Sequence, residues 1–496
     1  MSLARRIPAG LGALLLVLLV LGTLWRQQSV RPFSEFDQPF YLGIAYDLRH
    51  SGRFTDGYFF AQPGPDGLRP SSMRFTPLYP AFLAAVAQID GALRDNIDCL
   101  VAGLGQNRAC DRAAPVMRTL QFTELAAVFW LIWWLGGAVL GSRPLGWITL
   151  GVSLMTAPLL LRSADYLMTE MTCLLLTTAA TACGIQALAA PRRWRWAAAA
   201  GVLLALATLT RPAFFYLIFA VIFAGAFAAA RVRRGWPALA GFAAAATLTL
   251  APWFVRNAIV LGRPALSFGY ASHTLVQRIA YDTMTWREYG MSFVCWLPDG
   301  NAFGRWIAGP GACDRFGWSD PNSFYLIGQR RLLDETLVRA GGYAHHMNYL
   351  LHTYIFAMPL WHAMVTIPLA LRGAYVAHWW GFLLFGACVW CTVAALRQGQ
   401  WRFLVVALPA WFMLGLNAAV AVNQVRYNYM LIPPYALGLT VVLCEIWIRR
   451  PGALPLDLVG AVGPKPHLTG AVTSARHPRY APRLTIFTAR FRGSGV

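Results

Sequence analysis

Two carboxylates stand one residue apart in Arg31-Pro-Phe-Ser-Glu35-Phe-Asp37-Gln-Pro-Phe-Tyr-Leu-Gly-Ile-Ala45, the first polar stretch after an apolar run at 11–25. A carboxylate so placed can take the proton of a hydroxyl as a general base. An acid at the edge of a membrane run is a functional candidate by default, because it is costly to hold near lipid. The ordinary structural role is a helix cap: Phe40, Tyr41, Ile44, Ala45 and Leu48 have helical spacing, and Asp37 stands at the N-cap position before them. One residue can serve in both roles.

A second chemically competent set is polar and mostly basic: Arg74, Asp165, Glu170, Arg211, Arg256 with Asn257, and Arg426 with Tyr427. An isolated arginine at the end of a span is ordinarily an interfacial anchor. Several arginines flanked by carboxylates suit an anionic headgroup better, because the planar guanidinium fork matches phosphate oxygens. Metal and nucleotide chemistry find no support in the pattern. Asp-x-Asp, zinc-like Cys/His spacing and glycine-rich phosphate loops are missing from the sequence, so no metal and no cofactor are expected. His345-His346 reads as a solvated pair, and Tyr270-Ala-Ser-His273 as loop.

The elements that must position these residues are membrane spans. Hydrophobic residues make up 57% of the 496 and charged residues 13%, far from the balance of a soluble domain. The fold class expected is an all-α polytopic membrane protein. The net charge of +21 does not point to nucleic acid, because the basic clusters fall in short gaps between apolar runs. They are Arg5-Arg6, Arg192-Arg193-Arg195, Arg231 with Arg233-Arg234, Arg397 with Arg402, and Arg449-Arg450. This is the positive-inside pattern, which puts those gaps in the cytoplasm. Sixteen of the 21 acidic residues lie in 35–111 and 282–335, so two long loops face outward.

Spans are expected at 7–25, 117–140, 145–161, 170–188, 197–209, 213–230, 238–255, 378–396, 403–422 and 429–448. That makes ten, or eleven if 350–371 crosses; its His and Pro residues favour a path along the outer surface. Both termini are then inside, and the polar residues named above converge on the outer face. The domains expected are a catalytic transmembrane module 1–260 with the first outer loop at 26–116, a second outer loop 261–349, a C-terminal membrane region 350–448, and a basic, Pro/Gly-rich cytoplasmic tail 449–496. The outer loops are expected to carry juxtamembrane helices, with 81–89 lying at the interface.

The order of motifs resembles the GT-C superfamily of polyprenyl-phosphate-dependent glycosyltransferases, in the branch of the protein O-mannosyltransferases and aminoarabinose transferases. The matching residues are Glu35-Phe-Asp37 opening a helix after the first span, Arg74-Phe-Thr-Pro-Leu-Tyr-Pro80, Leu167-Met-Thr-Glu170, Leu209-Thr-Arg-Pro212, Pro252-Trp-Phe-Val-Arg-Asn257 and Arg426-Tyr-Asn-Tyr-Met-Leu-Ile-Pro433. Many members carry Asp-Glu where this chain has Asp37-Gln38.

The resemblance implies a polyprenyl-phosphate sugar donor, membrane lipids as surroundings, no nucleic acid, and transfer to a lipid, glycan or protein of the cell envelope. The lipid phosphate already provides a good leaving group, so one base suffices. Asp37 is the implied base, with Glu35 second, and inversion follows from a single displacement. Arg256, Arg211, Arg426 and Arg74 are implied donor-phosphate partners. Glu170, Asp165, Tyr427 and Asn257 are implied to position substrate. The location implied is the bacterial cytoplasmic membrane, with the site facing the periplasm. A transporter or flippase of a lipid-linked or anionic solute is the alternative, but it would need polar residues and broken helices at the midplane. A catalytically dead scaffold is a third reading.

Cys173, Cys183, Cys388, Cys391 and Cys444 lie in spans and read as packing residues. Cys99 with Cys110, and Cys295 with Cys313, lie in the outer loops at separations suited to local disulfides in an oxidising compartment; cross-loop pairs are the alternative connectivities. Peptide mapping of unreduced protein is expected to show all four of these outer thiols bonded. Four free outer thiols would remove the expectation.

Overall fold

The computed structural model describes residues 7–26, 33, 35–58, 60–103, 110, 114–190, 192–231 and 235–448. Arg5-Arg6, Arg233-Arg234, Arg449-Arg450 and the tail 449–496 lie outside the described residues. Among the described residues the regular structure is entirely helical. Helix α1 (Ile7–Trp25) leads to a segment with α2 (Gln38–Ser51), α3 (Leu78–Ile89) and α4 (Gly91–Ala102). Seven helices follow: α5 (Pro115–Leu140), α6 (Arg143–Leu154), α7 (Ala157–Ala164), α8 (Glu170–Ala189), α9 (Arg193–Thr210), α10 (Phe214–Arg231) and α11 (Trp236–Leu261). A second intervening segment holds α12 (Tyr270–Ile279), α13 (Trp286–Cys295), α14 (Gly300–Ala308), α15 (Phe324–Ile327), α16 (Leu333–Ala340) and α17 (Tyr343–Leu350). The chain closes with α18 (Pro359–Ala374), α19 (Trp380–Gln398), α20 (Trp401–Val420), a 3-10 stretch Val425–Leu431, and α21 (Ile432–Ile448).

Six of these are long and apolar enough to cross a membrane: α5, α8, α11, α19, α20, and the 3-10 stretch continued by α21 as Val425–Trp447. Two bent pairs raise the number to eight. Ala9–Trp25, Leu78–Ile89 and Phe214–Ala230 are shorter apolar helices. The span expected at 145–161 falls on α6 and α7, which meet at 59°, where Pro158 at the start of α7 removes a backbone donor. The segment 350–371, expected to lie flat, bends by 96°. A π-helical turn, Leu351–Ile355, ends one arm and Pro359 begins the other.

Small residues let the bundle close. A side chain at Gly136 would meet the Thr149 hydroxyl at 2.6 Å, and one at Gly146 would meet the Trp133 carbonyl at 2.8 Å, so α5 and α6 pack backbone to backbone. Gly201 does the same for α9 against the Phe242 carbonyl of α11. Asp90 joins the first segment to this bundle. Its carboxylate accepts Leu93 N–H at 3.1 Å to cap α4, and also Val116 N–H at 3.0 Å and Met117 N–H at 3.1 Å to hold the start of α5. The disulfides Cys99–Cys110 and Cys295–Cys313 are both formed, as expected, and the other five cysteines are free.

A buried ionic network pins the second segment. Arg278 is fully buried and donates to Ala418 O at 2.8 Å, Asp282 Oδ1 at 2.7 Å, His362 O at 3.0 Å and Thr366 Oγ1 at 3.1 Å. The other Asp282 oxygen lies 2.7 Å from His362 Nδ1. A guanidinium this deep is tolerated only because its donors and its charge are met. Asp282→Asn keeps the shape but leaves Arg278 without its counter-ion. We expect a loss of about 3–5 kcal/mol, read as a lower melting temperature of the purified protein in detergent. The exposed Arg331–Glu335 pair is the control: Glu335→Gln should leave melting unchanged.

Candidate active site

The turn into α2 decides what Asp37 can do. Asp37 occupies the N-cap position, but its side chain makes no capping hydrogen bond. The preceding Phe36 has φ of 57°, a left-handed conformation uncommon for a residue with a side chain. Gln38, fully buried, holds this turn. Its Nε2 donates to the Glu35 carbonyl at 2.9 Å, and its Oε1 accepts the Leu167 N–H at 2.8 Å. The side-chain amide thus ties residues 35–38 to the stretch before α8, and the Asp37 carboxylate is left free for another partner.

That partner is Arg426. Its Nη2 donates to Asp37 Oδ2 at 3.1 Å, and its Nε lies 3.6 Å from Glu170 Oε1. Arg211, just past the end of α9, reaches the same Glu170 oxygen at 3.5 Å. Asp37, Arg426, Glu170 and Arg211 therefore form one alternating string of charges from four separate parts of the chain. Glu170 sits in the first turn of α8, where the helix dipole favours a negative charge. The Tyr427 ring lies under Arg211 at 4.0 Å and beside Arg426 at 5.3 Å. Met168 Sδ accepts from Arg426 Nη1 at 2.9 Å.

Exposure separates the members. The side chains of Glu170, Arg426 and Arg211 are 7%, 14% and 16% exposed, whereas Asp37 is 41% exposed. Glu170 Oε2 is buried without a hydrogen-bond partner. The cluster thus offers one accessible carboxylate beside two largely buried cations. That arrangement can deprotonate a hydroxyl at one edge and hold an anion at the other.

The remaining expected residues fall elsewhere. Asp165 pairs with Arg118 at 2.7 Å. Helix α11 runs past the expected end at 255 to Leu261, so Arg256 and Asn257 lie within it rather than beyond it. Arg256 donates to Ser72 O at 2.7 Å, Phe54 O at 3.2 Å and Asn257 Oδ1 at 2.8 Å, and Asn257 donates to Ala265 O at 2.7 Å. They staple two loops to α11 and are not brought into the Asp37 string. The Glu35 carboxylate joins no described ion pair; its backbone carbonyl is what the turn uses.

Arg74 lies 3.6 Å from Asp56 Oδ2, with the rings of Phe60 and Tyr343 at 4.7 and 5.4 Å. An aromatic row connects it to the Asp37 helix, with centroids 4.8 Å apart for Phe40–Phe60, 5.9 Å for Phe60–Phe75 and 5.5 Å for Phe75–Tyr270. Tyr270 and His273, expected in a loop, open helix α12 instead. Burial pushes the Tyr270 hydroxyl up in spite of Arg211 nearby. Burial, then the Arg74 charge and His346, push the His273 imidazole down to about 4. His346 is fully buried and lies 2.8 Å from the Thr336 hydroxyl, so only His345 is the exposed residue expected of that pair.

Two polar residues escaped the sequence reading. Gln38 looked like a lost carboxylate and is the pin of the turn. Glu124, inside α5, accepts the Thr172 hydroxyl at 3.0 and 3.1 Å; an acid within an apolar run was the available signal. Among the described residues, no three His, Cys, Asp or Glu side chains gather closely enough to hold a metal ion.

No protein-family model and no curated protein sequence matches the chain. Among solved structures it is similar to the archaeal oligosaccharyltransferase AglB from Archaeoglobus fulgidus in complex with an inhibitory peptide and a dolichol-phosphate. The identity is 14%, the TM-score 0.48, and the match covers 93% of this chain and 53% of that one. This chain thus spans about half the length of the archaeal protein. It is also similar to ArnT from Cupriavidus metallidurans bound to undecaprenyl phosphate, at 15% identity and a TM-score of 0.40, covering 87% of this chain and 78% of that one. Both scores lie below 0.5, so the roles of residues have to come from this chain itself.

Gln38→Glu tests the pin. It removes the donor to the Glu35 carbonyl and buries a carboxylate beside Asp37, and we expect a loss of about 1–3 kcal/mol in stability. A melting temperature equal to wild type would show that the amide is not needed.

Proposed function

We propose that this protein is a membrane glycosyltransferase that moves a sugar from a polyprenyl-phosphate donor to a cell-envelope acceptor. The observation that carries the reading is the accessible Asp37 carboxylate held 3.1 Å from Arg426 at the open edge of a largely buried Arg–Glu–Arg string. The acceptor hydroxyl attacks the anomeric carbon and gives its proton to Asp37. The bond from that carbon to the phosphate oxygen breaks, and its electron pair leaves with the lipid phosphate. Arg426 and Arg211 stabilise the charge that grows on that phosphate. A single displacement inverts the anomeric centre, and no general acid is required because phosphate is a good leaving group.

Glu170 orients both guanidiniums. Tyr427 sets the plane of Arg211. Arg74, at the far end of the aromatic row, is the next cation available to the donor. Asp165, Arg256 and Asn257 act at a distance by fixing the loops that carry the site. In this reading ten spans cross the bacterial cytoplasmic membrane: α1, α5, the α6–α7 pair, α8, α9, α10, α11, α19, α20 and α21. Asp37, Glu170, Arg211 and Arg426 then share the periplasmic face, where the two long segments lie and where disulfides persist.

The test is sugar release from a panel of radiolabelled polyprenyl-phosphate sugars by membranes containing wild type or Asp37→Asn. Asparagine keeps the shape and cannot take the proton. The variant should turn over about 10²–10⁴-fold more slowly at equal protein level. Undiminished turnover would move the base elsewhere, with Glu35 tested next.

A further inference from the structure

On the other side of the 3-10 stretch lies a cavity of about 420 Å³ that takes no part in the Asp37 string. Its walls include Trp296, Phe316, Trp318, Tyr375, Val425 and Arg372. Cys295 and Cys313, joined as a disulfide, close one side. A volume of this size, mostly apolar with a few convergent polar groups, is that of a ligand site.

Arg372 gives the cavity its chemistry. It sits in the last turn of α18 and is 8% exposed. Its guanidinium lies over two indoles, Trp318 at 4.5 Å and Trp296 at 5.2 Å. It donates a long hydrogen bond, 3.5 Å, to the Val422 carbonyl. The Tyr281 hydroxyl stands beside it as a neutral hydrogen-bond partner, pushed up by burial in spite of the guanidinium, and so supplies no counter-charge. Every other deeply buried arginine described above has a carboxylate: Arg278 has Asp282, Arg426 has Asp37 and Glu170, and Arg211 has Glu170. Among the described residues no carboxylate lies within ion-pair distance of Arg372. A buried cation without a counter-charge is costly, and the cavity is the direction from which an anion can reach it.

The surroundings say which anion. The cavity edge includes His378, and Trp379 and Trp380 beside it are exposed at the head of α19, a candidate span. Phe303 of α14 meets Trp379 at 5.8 Å, and the neighbouring Trp306 of α14 is also exposed. Trp379 Nε1 donates to Asp299 at 3.0 Å, which fixes α14 to that head. A girdle of exposed tryptophans at the end of a span marks headgroup depth in a bilayer. A guanidinium at that depth stands level with the lipid phosphates, whose oxygens match its planar fork.

We propose that this cavity binds one anionic phospholipid of the surrounding bilayer, with its phosphate on Arg372 and an acyl chain against Trp296, Trp318 and Phe316. None of Asp37, Glu170, Arg211, Arg426 and Tyr427 lines it. Val425 lines it, whereas the next residue, Arg426, points into the Asp37 string. Asn423 fixes the stretch before Val425, donating to Leu369 O at 2.7 Å and accepting from Asn428 Nδ2 at 2.7 Å.

The test is native mass spectrometry of the delipidated full-length protein titrated with phosphatidylglycerol, a polyprenyl phosphate or inorganic phosphate. Wild type should retain one phosphatidylglycerol. Arg372→Gln should weaken that binding about tenfold or more, as expected for loss of one charged hydrogen-bonded pair. Asn301→Trp, which leaves Arg372 in place and obstructs the cavity from α14, should do the same, and it keeps the test decisive if Arg372→Gln fails to fold. Arg426→Gln should leave phosphatidylglycerol binding unchanged. Equal phosphatidylglycerol binding by wild type and Asn301→Trp overturns the proposal. So does retention of polyprenyl phosphate or inorganic phosphate alone, or no binding by wild type. None of these outcomes bears on whether Asp37 transfers sugar.

Discussion

Arg426 reaches from the stretch before the last helix to two carboxylates in other parts of the chain, Asp37 at 3.1 Å and Glu170 at 3.6 Å. Residues 426 and 37 are 389 positions apart, so the contact exists only if the early and late helices of the chain have both packed correctly. A guanidinium this buried needs charge on more than one side to offset its desolvation. Asp37 and Glu170 supply it unequally, one nearly half open and one enclosed. The same inequality gives the cluster its direction, with an accessible carboxylate at the rim and largely buried cations beneath.

The surrounding structure keeps that string from relaxing into ordinary paired charges. Gln38 uses its amide to fix the turn, so Asp37 is not drawn into capping α2. Glu170 opens α8 and is shared by two arginines at 3.5 and 3.6 Å, too long for either to be a tight bidentate pair. Tyr427 braces Arg211 from below. The result is two guanidiniums that share one enclosed carboxylate, with the second carboxylate open at the edge.

The two long segments between helices are held by a different device, namely arginines whose donors go largely to backbone carbonyls. Arg256 holds the loop at 54–72 against α11, and Arg278 locks α12 to α18 and α20. Backbone carbonyls are abundant where a chain leaves regular structure, and the guanidinium fork can satisfy several at once. Arg372 departs from this pattern, since it faces aromatic rings and a cavity.

Helices such as α5, α8 and α20 could be read from the chain because a long apolar run has one stable form in lipid. The local disulfides were legible from spacing and compartment, and the arginine and carboxylate types were legible as anion-binding chemistry. Asp37, Glu170, Arg211 and Arg426 were all named, but so were Asp165, Arg256 and Asn257, and nothing in composition separates the two groups. The separation depends on which acceptor stands within about 3 Å of each donor, a matter of packing between segments hundreds of residues apart. The same holds for Gln38, His346 and the bends at Pro158 and Pro359. What the sequence determined alone was the solvent each segment prefers and the chemistry its side chains can perform. Tertiary structure decided which charges meet and which are absorbed by backbone, because hydrogen bonds and ion pairs act over ångströms and leave no periodic trace along the chain.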